Sequence, residues 1–312
     1  MEGLKASLEF FEEPFHLVQI LALQESVSSS EIENIRTTIQ GALEDAAKEE
    51  RDQQRGNKEA LKYRKAIFVG LESMKNYGLS TRTILAIHCA LNVKESGRFR
   101  TQQNKIQNEF DEPLYTPPAH TEISQLLQDW ENFVNTKKTQ IHPIIKAIIS
   151  HYQFEAIHPF ADGNGRTGRI LMVLQLVGDN ILSVPAFYIS GYLKERSSQY
   201  KELLLEVTQT GKWEKFLNFM LTAFNVQALK TRIILRKIHH YKLQFKRGVR
   251  KDLSSIYSAE LINHLFTYPI TYPGMMESEL KITRKTASKY LKQLENKGYL
   301  ISKKSGKYKL FL

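Results

Sequence analysis

The chain has 312 residues, 42% of them hydrophobic and 25% charged, which suits a main domain of ordinary size with smaller additions and excludes wholesale disorder. Its single cysteine, Cys89, excludes a disulfide framework and a four-cysteine zinc site, and fits a reducing, cytoplasmic setting. The net charge of +11 is unevenly spread: residues 281–312 carry +9, 230–252 carry +8, 253–280 carry −3 and the first 229 residues −3.

A mildly acidic body with a basic tail offers two partner surfaces. Residues 1–5 lack the layout of a signal peptide, and the apolar stretch 170–189 is broken by Gln175, Gly178, Asp179, Asn180 and Pro185. No membrane span is therefore expected.

In chain order, Ile32, Ile35, Ile39, Ala42 and Ala46 recur at helical spacing, predicting a helix over 28–48. Val27-Ser28-Ser29-Ser30 reads as its start signal, with Ser30 and Glu33 placed for a capping box. Helical patterns follow at 58–76 and 81–95. Residues 96–118, rich in Gln and Asn and ending in Pro113, Pro117 and Pro118, read as a long loop or hairpin of functional length. Helices resume at 120–136, 141–157, after Gly168, at 197–209 and at 213–250. The last 60 residues read as a small module. It has helices at 258–266, 276–280 and 283–297, the last stopped by Gly298, then strands at 299–302 and 307–312 about a turn at 304–306. Cys89 is expected in the core, and His88, His142, His239 and His240 are expected to be structural, since no metal spacing links them.

The densest cluster of reactive residues is His158-Pro159-Phe160-Ala161-Asp162-Gly163-Asn164-Gly165-Arg166-Thr167-Gly168-Arg169. Its glycines spell a dinucleotide fingerprint, but Ile144, Ile145, Ile148 and Ile149 before it are helically spaced, which excludes the strand that fingerprint needs. The cluster instead suits a phosphate site. Gly163 and Gly165 allow tight turns before a helix N-terminus, and Arg166 and Arg169 share a helix face to grip two phosphates. Asp162 can hold Mg²⁺ together with phosphate oxygens, and His158 can accept a proton from an attacking hydroxyl.

This segment resembles the signature of the Fic (filamentation induced by cAMP) family, HxFx[DE]GNGRxxR, at every fixed position. The resemblance extends over about residues 20–225. Leu91-Asn92, Arg100, Gln103-Asn104, Tyr115 and Pro117-Pro118 resemble the substrate-side flap and its flanks, and 151–157 resembles the lead-in to the signature. Tyr188-Ile189-Ser190 and Tyr200 match the adenine side.

The resemblance implies a mainly α, Fic-type helical bundle with a short β-hairpin flap, transferring AMP from ATP to a Ser, Thr or Tyr hydroxyl of a protein, itself included. It implies His158 as base, Asp162 as Mg²⁺ ligand, and Gly163, Asn164, Gly165, Arg166 and Arg169 on the phosphates, with Tyr188 and Tyr200 toward the base and Phe160 anchoring the loop. Gly165 stands where the kinase-like branch carries Lys and so favours AMP transfer. Lys105, Glu195 and Gln199 depart from residues common in relatives. Upstream, Ser29-x-x-x-Glu33-Asn34 resembles the inhibitory motif [ST]xxxE[GN], whose glutamate pairs with the second motif arginine, here Arg169.

The basic tail resembles a winged helix-turn-helix, with Arg284, Lys285 and Lys289 outward on its third helix and Lys303, Lys304 and Lys307 at the wing, suited to DNA phosphates or to a docked protein. The expected division is 1–50 for the inhibitory segment, 51–229 for the catalytic domain, 230–252 for a basic connecting helix and 253–312 for the winged module. A homo-oligomer is compatible with it. Two other functions fit the same residues: hydrolytic removal of AMP with Glu33 orienting water, and a DNA-binding regulator whose Fic domain senses nucleotide.

Overall fold

The computed structural model describes residues 1–9, 14–107, 113–137 and 139–312. They are mostly helical, with two short antiparallel hairpins among the described residues. The helices that position the site are α1 (Glu2–Glu9), α2 (Pro14–Ile32), α3 (Ile39–Ala46), α4 (Arg55–Tyr77), α5 (Thr81–Leu91), α6 (Ile123–Asn135), α7 (Pro143–Ile157) and α8 (Asn164–Gly178). They are followed by α9 (Ser190–Glu195), α10 (Ser197–Thr210) and α11 (Glu214–Asp252). One core holds them together, with Tyr63, Trp130, Phe154, Phe160, Leu174, Phe187 and Phe216 nearly or wholly withdrawn from water.

The predicted helix over 28–48 is corrected. The serine run does not start a helix; it lies in the last turns of α2, which begins at Pro14. Ser28, Ser29 and Ser30 are buried, and Ser26 bonds back to the Ala22 carbonyl, so the hydroxyls face the interior rather than free N–H groups. Helix α2 stops at Asn34, which takes the left-handed conformation at φ 59°, with the Ile35 N–H returning to the Ser30 carbonyl at 3.0 Å. Glu33 therefore sits past a helix C-terminus, and the Ser30–Glu33 capping box does not form. The chain then restarts in α3, capped by Thr38, whose Oγ1 accepts from the Gly41 N–H at 3.0 Å. Buried Asp45 accepts from Lys48, the Gln54 N–H and Asn57, tying α3 to the start of α4.

The loop over 96–118 contains the expected hairpin, β1 (Ile106–Gln107) with β2 (Pro113–Tyr115), Ile106 opposite Tyr115; its tip, 108–112, lies outside the described residues. Helix α8 starts four residues before Gly168, and α9 begins at Ser190, in the stretch that the resemblance marked as adenine-side. Cys89 is exposed rather than in the core, one step along α5 from fully buried His88.

The basic helix over 230–252 is the second half of α11. This 39-residue helix runs about 58 Å from the main core, where Phe216 and Phe224 are buried, to a second core containing Val249. Around that second core pack α12 (Ala259–Thr267), α13 (Pro273–Leu280), α14 (Arg284–Asn296) and the hairpin β3 (Ser302–Ser305) with β4 (Tyr308–Phe311). The turn falls at Gly306-Lys307, so the first strand begins three residues later than the sequence suggested. Ala287, Leu291 and Leu294 of α14 point inward, while Arg284, Lys285 and Lys289 are exposed.

The hairpin does not project into solvent. Leu310 and Ile270 pack on Ala47 and Leu43, Lys303 pairs with Glu44 at 2.8 Å, and Lys307 pairs with Asp52 at 2.9 Å. Of the wing lysines expected to contact DNA, Lys303 and Lys307 are thus held by the acidic N-terminal segment, because opposite charges and an apolar patch meet there. Lys304 stays exposed.

Candidate functional site

The site is the loop 158–163 and the first turns of α8. His158 closes α7 in the left-handed conformation (φ 49°, ψ 58°), its N–H still bonded to the Phe154 carbonyl at 3.1 Å. Its Nδ1 lies 3.3 Å from the Glu155 carbonyl. A carbonyl only accepts, so Nδ1 carries the proton and Nε2 keeps its lone pair. Burial pushes the ring pKa down to about 4, and the Glu155 carbonyl only partly opposes this, so His158 is neutral near pH 7.

The loop is held from several sides. Arg100, 3% exposed, donates through Nε to the His158 carbonyl at 3.0 Å and through Nη2 to that of Pro118, and its N–H bonds to the Pro159 carbonyl at 2.9 Å. Asn104 donates to the Phe160 carbonyl at 3.0 Å, and the Tyr115 hydroxyl to that of Ala156 at 2.8 Å. Phe160 is fully buried, its ring stacked 3.6 Å from His88. His88 Nδ1 accepts from the Gly97 N–H at 2.9 Å, which puts its proton on Nε2, facing the Asp162 carbonyl at 2.9 Å. The histidine expected to be structural is a brace for the loop.

Gly163, at φ 81°, turns the chain into α8, and its N–H bonds to Asp162 Oδ1 at 2.6 Å. Asn164 departs from expectation: its side chain is spent on the loop, accepting from the Phe160 N–H at 2.9 Å and donating to the Phe160 carbonyl at 2.8 Å. Only its backbone N–H remains for an anion at the helix N-terminus.

Both arginines are buried and paired. Arg166 meets Asp162 at 3.3 Å and Glu59 at 3.4 Å. Arg169, 1% exposed, donates through Nε to Ser29 Oγ at 2.8 Å, and through Nη2 to the Ser29 carbonyl at 3.1 Å and Glu33 Oε1 at 2.8 Å. Burial works to raise the Glu33 pKa, but the Arg169 guanidinium outweighs it and holds the carboxyl below its ordinary value. The carboxylate also lies against the first turn of α8: a Cβ on Gly165 would stand 2.6 Å from Glu33 Oε1 and 2.9 Å from Arg169 Nη1. Glycine at 165 is what lets this internal anion reach the helix N-terminus.

Behind Arg169 lies a polar cluster that the sequence did not announce. Burial pushes Glu155 up to about 7 against the pull of Arg169, and burial brings His151 down to about 3. Tyr200 shares a 2.6 Å hydrogen bond with His151 and is 3% exposed, so it belongs to this cluster rather than to an open base site. Tyr188 is half-buried, and burial pushes its phenol above the ordinary pKa. Glu25 receives the Ser190 N–H at 2.9 Å and the Tyr63 hydroxyl at 3.2 Å, fastening α2 to the start of α9. Arg100 sat within the recognised flap stretch, but nothing local marked Glu25 or Glu59.

Three family descriptions match: "Fic/DOC family N-terminal" over 1–72, "Fic/DOC family" over 78–176 and "Protein adenylyltransferase SoFic-like, C-terminal domain" over 243–312. The chain belongs to the Fic/DOC family. It is similar to "Protein adenylyltransferase Fic" of Aedes aegypti, at 30% identity over 166 residues, covering 52% of this chain and 30% of that one. The protein of the same description in Nematostella vectensis is 33% identical over 122 residues, or 38% and 26% of the two chains. The matches thus span less than a third of these relatives' length. A Fic family protein from Desulfovibrio desulfuricans G20 shares the fold with TM-score 0.61 and 21% identity, covering 98% of this chain and 90% of that one. A Fic-domain signaling protein from Bacteroides thetaiotaomicron does so with TM-score 0.60 and 16% identity, covering 75% and 94%. The Fic/DOC core match ends seven residues past Arg169, so it takes in the whole His158–Arg169 loop, while the N-terminal match takes in Glu33.

Proposed function

We propose that this chain transfers AMP from MgATP to a hydroxyl side chain of a protein, itself among the candidates, and is restrained by Glu33. The observation that carries the proposal is a neutral His158, Nε2 lone pair free, at the head of an anion-binding turn that ends in two arginines. His158 takes the proton of the attacking hydroxyl, whose oxygen forms a bond to the α-phosphorus as the bond to the β-phosphate oxygen breaks and pyrophosphate leaves. The α8 N-terminus, Arg166 and Arg169 hold the phosphates in line. Asp162 suits a magnesium ligand. Its side chain is 54% exposed at the turn, and no group of three metal-binding side chains surrounds it among the described residues, so phosphate oxygens would complete the shell. Mg²⁺ held there would neutralise charge on the phosphates. Intact-mass analysis of the purified chain incubated with MgATP tests the activity. An added AMP that His158→Ala abolishes supports it, and labelled ATP that leaves no AMP on the Glu33→Gly chain or on any added protein refutes it.

We further propose that the tail is a winged-helix module whose nucleic-acid face is α14 rather than the wing. Arg284, Lys285 and Lys289 are exposed and make no ion pair among the described residues, whereas Lys303 and Lys307 are engaged. No helix among the described residues is long and apolar enough to cross a membrane.

A further inference from the structure

A cavity of about 490 Å³ opens between α2, α3 and α4, lined by Gln19, Gln53, Leu61, Arg64, Lys65 and Phe68 among others. A larger groove of about 750 Å³ continues from it, sharing Gln53, Leu61 and Lys65 and adding Lys58 and Lys62. Both volumes fall in the range of small-ligand sites.

Among the described residues, the charges around the cavity do not balance. Asp45 is committed to Lys48, Glu44 to Lys303, Asp52 to Lys307, and Glu59 to Lys62 and Arg166. Among the described residues, the side chains of Lys58, Arg64 and Lys65 make no ion pair or hydrogen bond. Arg64 is half-buried, and burial pulls its guanidinium below the ordinary pKa, opposed by the nearby Tyr268 hydroxyl. A partly desolvated guanidinium without a carboxylate is costly, and its planar fork of donors matches phosphate oxygens. The second cation, Lys65, follows it in sequence and lines the same cavity. Leu61 and Phe68 give the cavity an apolar wall, and the Gln19 carboxamide adds a neutral polar group.

We infer that this cavity is a second anion site, separate from the His158–Arg169 loop, which takes the diphosphate or triphosphate group of a small molecule on Arg64 and Lys65. Two sources carry that chemistry: a free nucleotide and inorganic pyrophosphate. Arg64 and Lys65 are neighbours on one turn of α4, a footprint that matches the phosphates of one small molecule rather than the run of phosphates along a nucleic-acid strand. None of the lining side chains named makes a hydrogen bond or ion pair with residues 158–169, so the inference does not rest on the proposed AMP transfer.

The test is calorimetric titration of the full chain with ADP and, separately, with pyrophosphate. It compares wild type, Arg64→Gln/Lys65→Gln and the loop variant Arg166→Gln/Arg169→Gln. Wild type should show two binding events; the cavity variant should lose one or weaken it at least about tenfold, and the loop variant should keep it. Arg64→Lys, which preserves charge but not the fork, should fall between. A single cooperative thermal transition without ligand shows that each variant folds, the loop variant at a lower midpoint because its arginines are buried and paired. Retention with both probes means that phosphates suffice, and retention with ADP alone means that the base contributes; either supports the site. Identical titrations of wild type and the cavity variant would overturn it, as would loss of both events in the loop variant, or binding of duplex DNA in place of either probe.

Discussion

Neutralising Glu33 should release the restraint on AMP transfer, and the structure sets how far. The Glu33–Arg169 contact is a charge-assisted hydrogen bond of 2.8 Å to a buried guanidinium, a type worth about 1.5–3 kcal/mol. The Glu33 side chain is 37% exposed, so solvent screening discounts it to about 1–1.5 kcal/mol, or roughly tenfold in rate. Glu33→Gln keeps the length and removes the charge, but Arg169 would remain on Ser29 Oγ and the Ser29 carbonyl. Ser29→Ala added to it should therefore activate further. Glu33→Gly is a clean companion, because residue 33 lies past the last residue of α2 and caps nothing. Gly165→Ala provides an internal check. Its methyl would crowd the Glu33 carboxylate and the Arg169 guanidinium alike, so it should relieve the restraint in the wild type but lower transfer in the Glu33→Gln background, where the arginine moves with no restraint left to relieve. The assay is labelled AMP incorporation at fixed MgATP. Wild-type rates in both Glu33→Gln and Glu33→Gly would refute the restraint. Loss in both of the ability to strip AMP from a premodified substrate would assign Glu33 a hydrolytic role instead.

His158→Ala should lower AMP transfer about 10²–10⁴-fold while nucleotide binding persists, measured by single-turnover rates beside calorimetry. With the His158 pKa lowered to about 4, the acid limb of kcat/KM should fall near pH 4 rather than 6.5, and a limb at 6.5 would remove the ring from its buried setting. Glu155 is raised from 4.5 to about 7, so its contribution to stability is complete below about pH 4.5 and is lost as pH rises through 7. The loss is about 3.4 kcal/mol over the whole window, of which about 1.4 kcal/mol falls between pH 6 and 8.5, and urea midpoints at those two pH values should converge in Glu155→Gln. Equal midpoints in the wild type would show that Glu155 does not titrate there. For the tail, Arg284→Glu/Lys285→Glu/Lys289→Glu should abolish any salt-sensitive DNA binding, which carries a log–log slope of about −0.9 per phosphate contact, whereas Lys303→Glu should leave it intact; the opposite pattern in a shift assay would return the contact to the wing.

The sequence by itself determined the reactive loop and the helical class. His158, Asp162, Gly163, Arg166 and Arg169 lie within twelve residues, so local turns and one helix suffice to gather them, and the apolar spacing of α4, α7 and α14 places their buried faces without reference to anything distant. The tertiary structure decided whatever depends on partners far along the chain. Ser28–Ser30 carry the local marks of a helix start, yet burial against Arg169, 140 residues away in the case of Ser29, turned them into the end of α2 and turned Glu33 from a cap into an ion-pair partner. Asn164 and Tyr200, spelled like ligand contacts, were drawn inward because a buried amide or phenol must find a hydrogen-bond partner, and Phe160 and His151 supplied them. Lys303 and Lys307, basic residues on a hairpin, met Glu44 and Asp52 from the opposite end of the chain, because an apolar patch that spacing along the sequence does not encode brought the two ends together.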